Sequence, residues 1–284
     1  MNAEQGTRPL AALAIDIDGT LIDSRKQIMP FTRSEIHRVV EEYGAHVILI
    51  TARGPQSTAV IEERLGLRTS YATFGGSLVW AREQDGGFLP LSEIPLLDAD
   101  VTRIVSTALD YDVHVGLYTR DVWYVSSLDY WGLREARNTA VWPQVVDLDD
   151  VVRNDSLDPV YKIMFRGEQG PLATLAEALA ITPGDTYSHH IKHVLEIISS
   201  KAVKLPALAA LTAHLGIGLD QVIAFGDTAA DLEMLENVGV GVLMGNASHS
   251  LTVGERVERT LSNDEDGIGV ALRKYFPSSA PFRP

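Results

Sequence analysis

Three apolar runs along the chain end in the same way. Leu10 to Ile15 runs into Asp16, His46 to Ile50 into Thr51, and Gln221 to Phe225 into Gly226-Asp227. Continuous apolar runs this short predict strands covered on both faces, as in a parallel sheet. Helical spacing lies between them. Ile36, Val39, Val40 and Tyr43 share one face and stop at Gly44, Thr58 to Leu65 stops at Gly66, and Ala207 to Leu215 stops at Gly216. Asp231 to Glu236 starts a fourth helix, followed by Gly239 and a further strand from Val240 to Met244. The alternation predicts an α/β fold with a doubly wound, mainly parallel, Rossmann-like core sheet. Ligands of such sheets bind beyond the carboxyl ends of the strands, which is where Asp16, Thr51 and Asp227 fall.

The middle of the chain has a different rhythm. Val113 to Tyr118 and Val122 to Ser126 predict a hairpin around Thr119-Arg120-Asp121, and Val160 to Phe165 predicts another strand. Arg153-Asn154-Asp155-Ser156 and Arg166 to Gly170 are turn chemistry. Residues 85–190 are therefore expected to form a separate α+β domain, inserted into a core made of residues 1–84 and 191–284. Gly75-Gly76 and Gly86-Gly87 are expected to flank the outgoing crossing, and the Pro- and Ser-rich tail from Pro277 to Pro284 is expected to fray.

Composition narrows the function classes. The 284 residues are 45% hydrophobic and 22% charged, ordinary for a globular protein and long enough for two domains. The net charge of −14 works against binding nucleic acid or an anionic membrane. The same charge repels any anionic substrate, so a bound cation and a few basic side chains must reverse the sign locally. There is no cysteine, which excludes disulfides, thiolate nucleophiles and Cys-ligated zinc. No apolar run approaches the roughly 18 residues of a spanning helix, and Leu10 to Ile17 is too short for a signal sequence, so a cytoplasmic protein is expected. Asn246-Ala247-Ser248 fits a glycosylation sequon and is read as a chance match.

Four segments carry chemistry. Asp16-Ile17-Asp18-Gly19-Thr20 sets two carboxylates two residues apart at a strand end. The first can attack phosphorus and the second can protonate a leaving oxygen, provided their environments separate their pKa values. Gly19 lets the backbone turn so that both face the opening. An Asp-Gly turn after a strand is the plain alternative. Thr51, before a helix start, can donate to a phosphate oxygen or simply cap the helix. Lys204, with Pro206 placing it in a first helical turn, can serve as a point charge for phosphate or as ordinary surface solvation. Asp227 and Asp231, at a strand-to-helix corner, can hold Mg²⁺ or act as a cap and a helix-dipole partner.

Together these segments resemble, in order, the four motifs of the haloacid dehalogenase-like hydrolases, and the finer pattern resembles their Cof-type branch, phosphatases with a large α/β cap. Supporting stretches are Asp121 to Val125, Leu195-Glu196-Ile197, Ala207-Leu208, Met244 to Ala247 and Asp266-Gly267-Ile268. The resemblance implies a nucleophile at Asp16 and a general acid/base at Asp18. It places phosphoryl oxygens against Thr51 and Lys204, with Gly19 and Ala52 alongside. It gives Mg²⁺ the Asp16 carboxylate, the Asp18 backbone carbonyl and Asp227, with Asp231, Thr20 and Arg53 supporting. The function implied is hydrolysis of a small phosphorylated metabolite such as a sugar phosphate, with residues 85–190 as the specificity-setting cap, in a monomer or homodimer without nucleic acid or membrane. A phosphomutase and a catalytically weakened metabolite-binding or regulatory protein are the alternatives.

Three positions depart from the family's pattern. Ala230 stands where the family has Asn, Val203 and Leu205 flank the lysine in place of Ser and Gly, and Gly75-Gly76 replaces Asn-Gly. Other candidates are less specific. His189, His190 and His193 can bind a metal or form a hinge face. Trp123, Tyr124, Tyr130 and Trp131 can stack on a substrate ring or pack a sheet, and Arg120 and Arg134 can meet a distal anion.

Overall fold

The computed structural model describes residues 9–153, 157–180 and 186–277, without the side chains of 187–191. Of the expected turn at 153–156, Arg153 ends the helix Leu148–Arg153, and the rest falls outside that set, as does the tail after Pro277.

The first sheet begins with β1 (Ala12–Ile15), β2 (His46–Ile50), β3 (Ser70–Thr73), β4 (Leu78–Arg82) and β5 (Phe88–Glu93). A second sheet follows, made of β6 (His114–Thr119), β7 (Trp123–Val125), β8 (Gln144–Val145), β9 (Val160–Arg166), β10 (Thr186–Ile191) and β11 (Val194–Ser199). The chain then returns to the first sheet with β12 (Val222–Gly226), β13 (Val240–Leu243) and β14 (Val257–Arg259). The first sheet has the order β14-β13-β12-β1-β2-β3-β4-β5, and the second β10-β11-β9-β6-β7-β8. Pairing is parallel from β14 across to β3 and antiparallel at β3-β4-β5, so the first sheet is mainly parallel, as expected.

Side-chain size along the central strands decides what covers each face. Leu13, Ile15, Ile223 and Phe225 point to one side, against α1 (Pro30–Tyr43), α2 (Pro55–Leu65) and a helix at Gly267–Tyr275. Ala12, Ala14, Ala72 and Ala224 point to the other, where Ala207, Leu208 and Leu211 of the helix Lys204–His214 pack. Small side chains let that helix approach closely, which brings its first residue, Lys204, to the strand ends. The predicted stops hold at Gly44 and Gly66, both left-handed, while the third helix starts three residues earlier than its apolar spacing suggests.

The second sheet buries Val115, Leu117, Ile163, Phe165, Leu195 and Ile197 under its own helices. Its other face carries Tyr118, Trp123 and Met164, which meet Phe74 and Leu78 of the first unit. Sheet membership changes after Glu93 and again after Ser199, not at the expected limits of 85 and 190. The reason is local. Gly86-Gly87 forms the hairpin between β4 and β5, where the Glu83 amide donates to the Gly87 carbonyl and the Gly86 amide to that of Glu83. A hairpin and a domain crossing use the same turn residues. No helix among the described residues is long and apolar enough to cross a membrane.

Gly75 and Gly76 both adopt positive φ, 71° and 111°. A Cβ on Gly76 would lie 2.7 Å from the carbonyl oxygen of Val203, the residue before Lys204. Gly76→Ala should therefore lower unfolding free energy by about 1–3 kcal/mol, read from denaturant melts. The same variant should impair phosphoryl-group chemistry beyond its stability loss, because Lys204 begins at the displaced residue.

Candidate active site

Asp16 follows the last residue of β1, and its amide donates to the Phe225 carbonyl of β12 at 3.1 Å. Its carboxylate Oδ1 accepts from Lys204 Nζ at 2.6 Å, and the same ammonium donates to Asp231 Oδ1 at 2.6 Å. All three side chains are buried. Ligand oxygens of Asp16, Asp227 and Asp231 lie within 4.8 Å of one another. One ammonium thus faces three carboxylates. Burial pushes the Asp16 carboxyl up, to about 8, with Asp231 and Asp227 adding and Lys204 opposing. Burial pushes Asp227 up as well, to about 6, helped by Asp231. Burial pulls Lys204 the other way, but the Asp16 and Asp231 carboxylates outweigh it and hold its ammonium above its ordinary range.

The two acids of the last motif have different jobs. Both oxygens of Asp231 are taken: Oδ1 by Lys204, and Oδ2 by the amides of Asp227 and Thr228 and by the Thr228 hydroxyl at 2.8 Å. It anchors the lysine and shapes the loop. Asp227 keeps a freer carboxylate, contacted by the Thr20 hydroxyl at 3.2 Å and weakly by the Asn246 amide at 3.5 Å. Gly19 has φ 82°, and any Cβ there would run into the Asp227 carboxylate. The cradle therefore fits a hard cation: surplus negative charge, oxygen donors and a backbone with no side chain in the way.

Asp18 sits on the outer side. Arg53 grips it with two bonds, Nε to Oδ2 at 2.6 Å and Nη2 to Oδ1 at 2.9 Å, and Lys26 Nζ adds a third at 2.8 Å. Burial alone would push this carboxyl up, but Arg53 and Lys26 hold it down at about 2. The two acids of the first motif are thus driven apart in proton affinity, as the sequence argument required. In this arrangement the proton-poor one is Asp18. Thr51 is buried, and its hydroxyl accepts from the Arg53 amide at 3.1 Å, which shapes the turn carrying Ala52 and Arg53.

Asn246 is a site residue that the sequence reading had placed only in a supporting stretch. Its amide donates to the Gly19 carbonyl at 2.8 Å. It supplies an amide beside Asp227, while exposed Ala230 cannot. Lys162 was also missed. From β9 its Nζ reaches the Ala52 carbonyl at 3.2 Å and Glu196 at 3.3 Å. A lone lysine in an apolar strand run was the available signal.

A cavity of about 210 Å³ opens beside Asp18 and Arg53. Tyr118, Trp123, Glu135, Lys162, Arg166 and Glu196 form its far wall. Tyr118 and Trp123 stack with centroids 5.5 Å apart, and neither the buried phenol oxygen nor the buried indole nitrogen has a hydrogen-bond partner among the described residues. Tyr124 packs on the opposite face of the second sheet, while exposed Tyr130 and partly buried Trp131 stay off the cavity. His193 bonds the Gly167 carbonyl and stacks on Trp131, whereas the side chains of His189 and His190 lie outside the described residues. Arg120 lines the cavity but pairs with Asp121; Arg134 lies over Trp131.

Comparison with known proteins agrees with this geometry. The haloacid dehalogenase-like hydrolase family matches residues 13–272. A 5-amino-6-(5-phospho-D-ribitylamino)uracil phosphatase of Bacillus subtilis is 28% identical over 276 residues, covering 93% of this chain and 97% of that protein. A haloacid dehalogenase-like hydrolase from Bacteroides thetaiotaomicron superposes with a TM-score of 0.83 at 24% identity, covering 94% of this chain and all (100%) of that one. A subclass IIB sugar phosphatase of the superfamily superposes at 0.75 with 18% identity, covering 93% and 98%.

Two measurements probe the cradle. Asp16 and Asp227 bind protons more tightly folded than unfolded, so the cation-free protein loses stability as pH rises from about 4 through about 6 and about 8, where the two carboxyls ionise in the fold. A divalent cation replaces those protons. The Tm gain from Mg²⁺ should be small at pH 5.5 and larger at pH 8.5, by more than about 3 °C. Equal gains at both pH values would contradict the assignment. Asn246→Ala should raise the Mg²⁺ concentration needed for half of that stabilisation by about 10-fold, whereas Ala230→Asn should leave it within about 2-fold.

Proposed function

The chain belongs to the haloacid dehalogenase-like hydrolases as one of their phosphatases, and from that premise we propose that it is a cytoplasmic, Mg²⁺-dependent enzyme hydrolysing a small phosphomonoester through an aspartyl phosphate on Asp16. The observation that carries this reading is the buried Asp16–Lys204–Asp231 chain beside Asp227: a nucleophilic carboxylate next to a fixed ammonium, with negative charge left over for a divalent ion.

Asp16 and Asp227 carboxylates and the Asp18 carbonyl would hold the metal, which when bound neutralises phosphoryl charge. The Asp16 oxygen attacks phosphorus, an O–P bond forms, and the bond to the leaving oxygen breaks. Lys204 and Thr51 hold phosphoryl oxygens in line for that attack. Asp18 gives its proton to the leaving oxygen. It then takes one from water, whose oxygen attacks phosphorus, and breaking the O–P bond regenerates Asp16 and releases phosphate. The Arg53 and Lys26 bonds favour the ionised half of this cycle, so the acid step needs that grip loosened.

The second sheet and its helices, from about residue 94 to 202, act as the cap, and its polar face forms the leaving-group wall. The polar side chains of Glu135, Lys162, Arg166 and Glu196 along that wall suit a leaving group rich in hydroxyl or carbonyl oxygens, as in a sugar phosphate or a ribityl-bearing phosphate like that named for the Bacillus relative. The phosphomutase alternative predicts a requirement for a bisphosphate activator. The weakened-binder alternative rested on Ala230 and on the altered surroundings of Lys204; Asn246 supplies an amide beside Asp227, and Lys204 keeps bonds to both Asp16 and Asp231.

A screen of phosphorylated metabolites for phosphate release tests the reading. Turnover should need Mg²⁺, and Asp16→Asn should lose at least about 10³-fold in kcat. Full turnover in that variant sinks the mechanism. Asp18→Asn should slow alkyl phosphates by about 10²–10⁴-fold and activated aryl esters far less, because a general acid matters most where the leaving oxygen is basic. Equal losses would remove Asp18 from that role.

A further inference from the structure

A second cavity, of about 300 Å³, adjoins the first and shares Lys26, Arg53, Asn138 and Thr139 with it. Its charged lining is entirely cationic: Arg25, Lys26, Arg53, Arg64 and Arg137. The chain as a whole carries −14, so five cations without a carboxylate in one wall is a local reversal of sign. Two carboxylates stand behind them. Asp18 takes Lys26 and Arg53, and Asp23 takes Arg25 at 3.3 Å. Arg64 donates to the Lys26 carbonyl at 3.2 Å and meets no carboxylate among the described residues. Arg137 has no side-chain partner among the described residues.

The loop that presents Arg25 and Lys26 is built. Asp23 is buried, and its Oδ1 accepts the amides of Arg25 at 2.9 Å and Gln27 at 2.8 Å. Lys26 adopts φ 63°, a left-handed backbone that a lysine takes only where its surroundings impose it. The opposite wall comes from the second unit. Arg137 lies on the helix Tyr130–Thr139, whose last carbonyls reach the first unit: Asn138 accepts from Arg53 at 3.5 Å and Thr139 from the Ser57 hydroxyl at 3.2 Å. The cavity therefore spans the seam between the two units.

We propose that this cavity binds an oxyanion, a phosphoryl or carboxylate group, bridging Arg64 of α2 and Arg137 across the seam. Guanidinium groups from two sides match the planar, multidentate recognition such anions need. The anion is either a second acidic group of the substrate or a free anion that ties the two units together across the seam. It differs from the phosphoryl group that Lys204 and Thr51 would receive, and its binding does not depend on turnover.

Isothermal titration of the whole protein with inorganic sulfate, without divalent cation, tests it. Wild type should bind one equivalent with an affinity that Arg64→Ala/Arg137→Ala lowers by at least 10-fold and Arg64→Lys/Arg137→Lys largely retains. Both positions are exposed, so an unchanged Tm should accompany the loss. Kinetics then separates the sources. If the anion belongs to the substrate, the alanine variant raises KM about 10-fold for esters with a second phosphoryl or carboxylate group and leaves a plain aryl phosphate unchanged. If the anion is free, sulfate changes kcat/KM of the aryl ester differently in wild type and variant. Identical isotherms overturn the proposal, and so does a binding difference with neither kinetic response, which marks an adventitious ion only. Absence of turnover on every ester would overturn the phosphatase reading while leaving the isotherms to judge this one.

Discussion

One buried ammonium among three carboxylates sets the terms for the rest of the molecule. A charge taken out of water costs several kcal/mol unless it is paired and hydrogen-bonded. Lys204 meets that condition with two short bonds, to Asp16 and Asp231. The pairing still leaves surplus negative charge, and burial gives it a high proton affinity. Such a site is unsettled near neutral pH: it holds protons, or a cation, or it strains the fold. The same instability makes it chemically useful under the proposed function, since the group that most resists being a buried anion is the one proposed to attack phosphorus.

The architecture can be followed outward from that constraint. Asp16 and Asp227 stand at the ends of adjacent parallel strands, so their spacing is set by backbone hydrogen bonds and not by side-chain choice. Alanines on one face of those strands bring the lysine's helix close. Glycine at 19 lets the first loop pass over the Asp227 carboxylate, and glycine at 226 lets the last loop fold back on Asp231. The first shell thus rests on backbone and small residues, which have few rotamers to lose.

What the sequence made legible follows the same division. Asp16, Asp18, Asp227 and Asp231 were readable because each sits beside an apolar run whose direction is unambiguous. Lys204 was not readable from its neighbours: Val203-Lys204-Leu205 looks like any helix start, and only the resemblance singled it out. Asn246 lies 227 positions from the carbonyl it bonds, and its local pattern suggested a chance sequon. Lys26 belongs to a loop whose shape depends on buried Asp23, so no periodicity announces it. Gly86-Gly87 misled because its chemistry specifies a turn without saying whether the chain continues in the same sheet.

Specificity and chemistry meet at one short turn. Residues 51–53 take part in both: Thr51 and Arg53 form the turn next to β1, the strand that leads into Asp16, Arg53 grips Asp18, and the Ala52 carbonyl receives Lys162 from the second sheet. Arg53 also touches the Asn138 carbonyl across the seam. A shift of the second unit by an ångström or two therefore cannot leave Asp18 unaffected, since hydrogen bonds weaken steeply with distance and angle. Under the proposed function, a leaving group that fills the cavity well holds the second unit in place, and one that fits poorly lets it drift. Discrimination then needs no separate checking step. Loose fit at the aromatic wall is carried, through three residues of backbone, to the Asp18 carboxylate, the group proposed to hand over a proton.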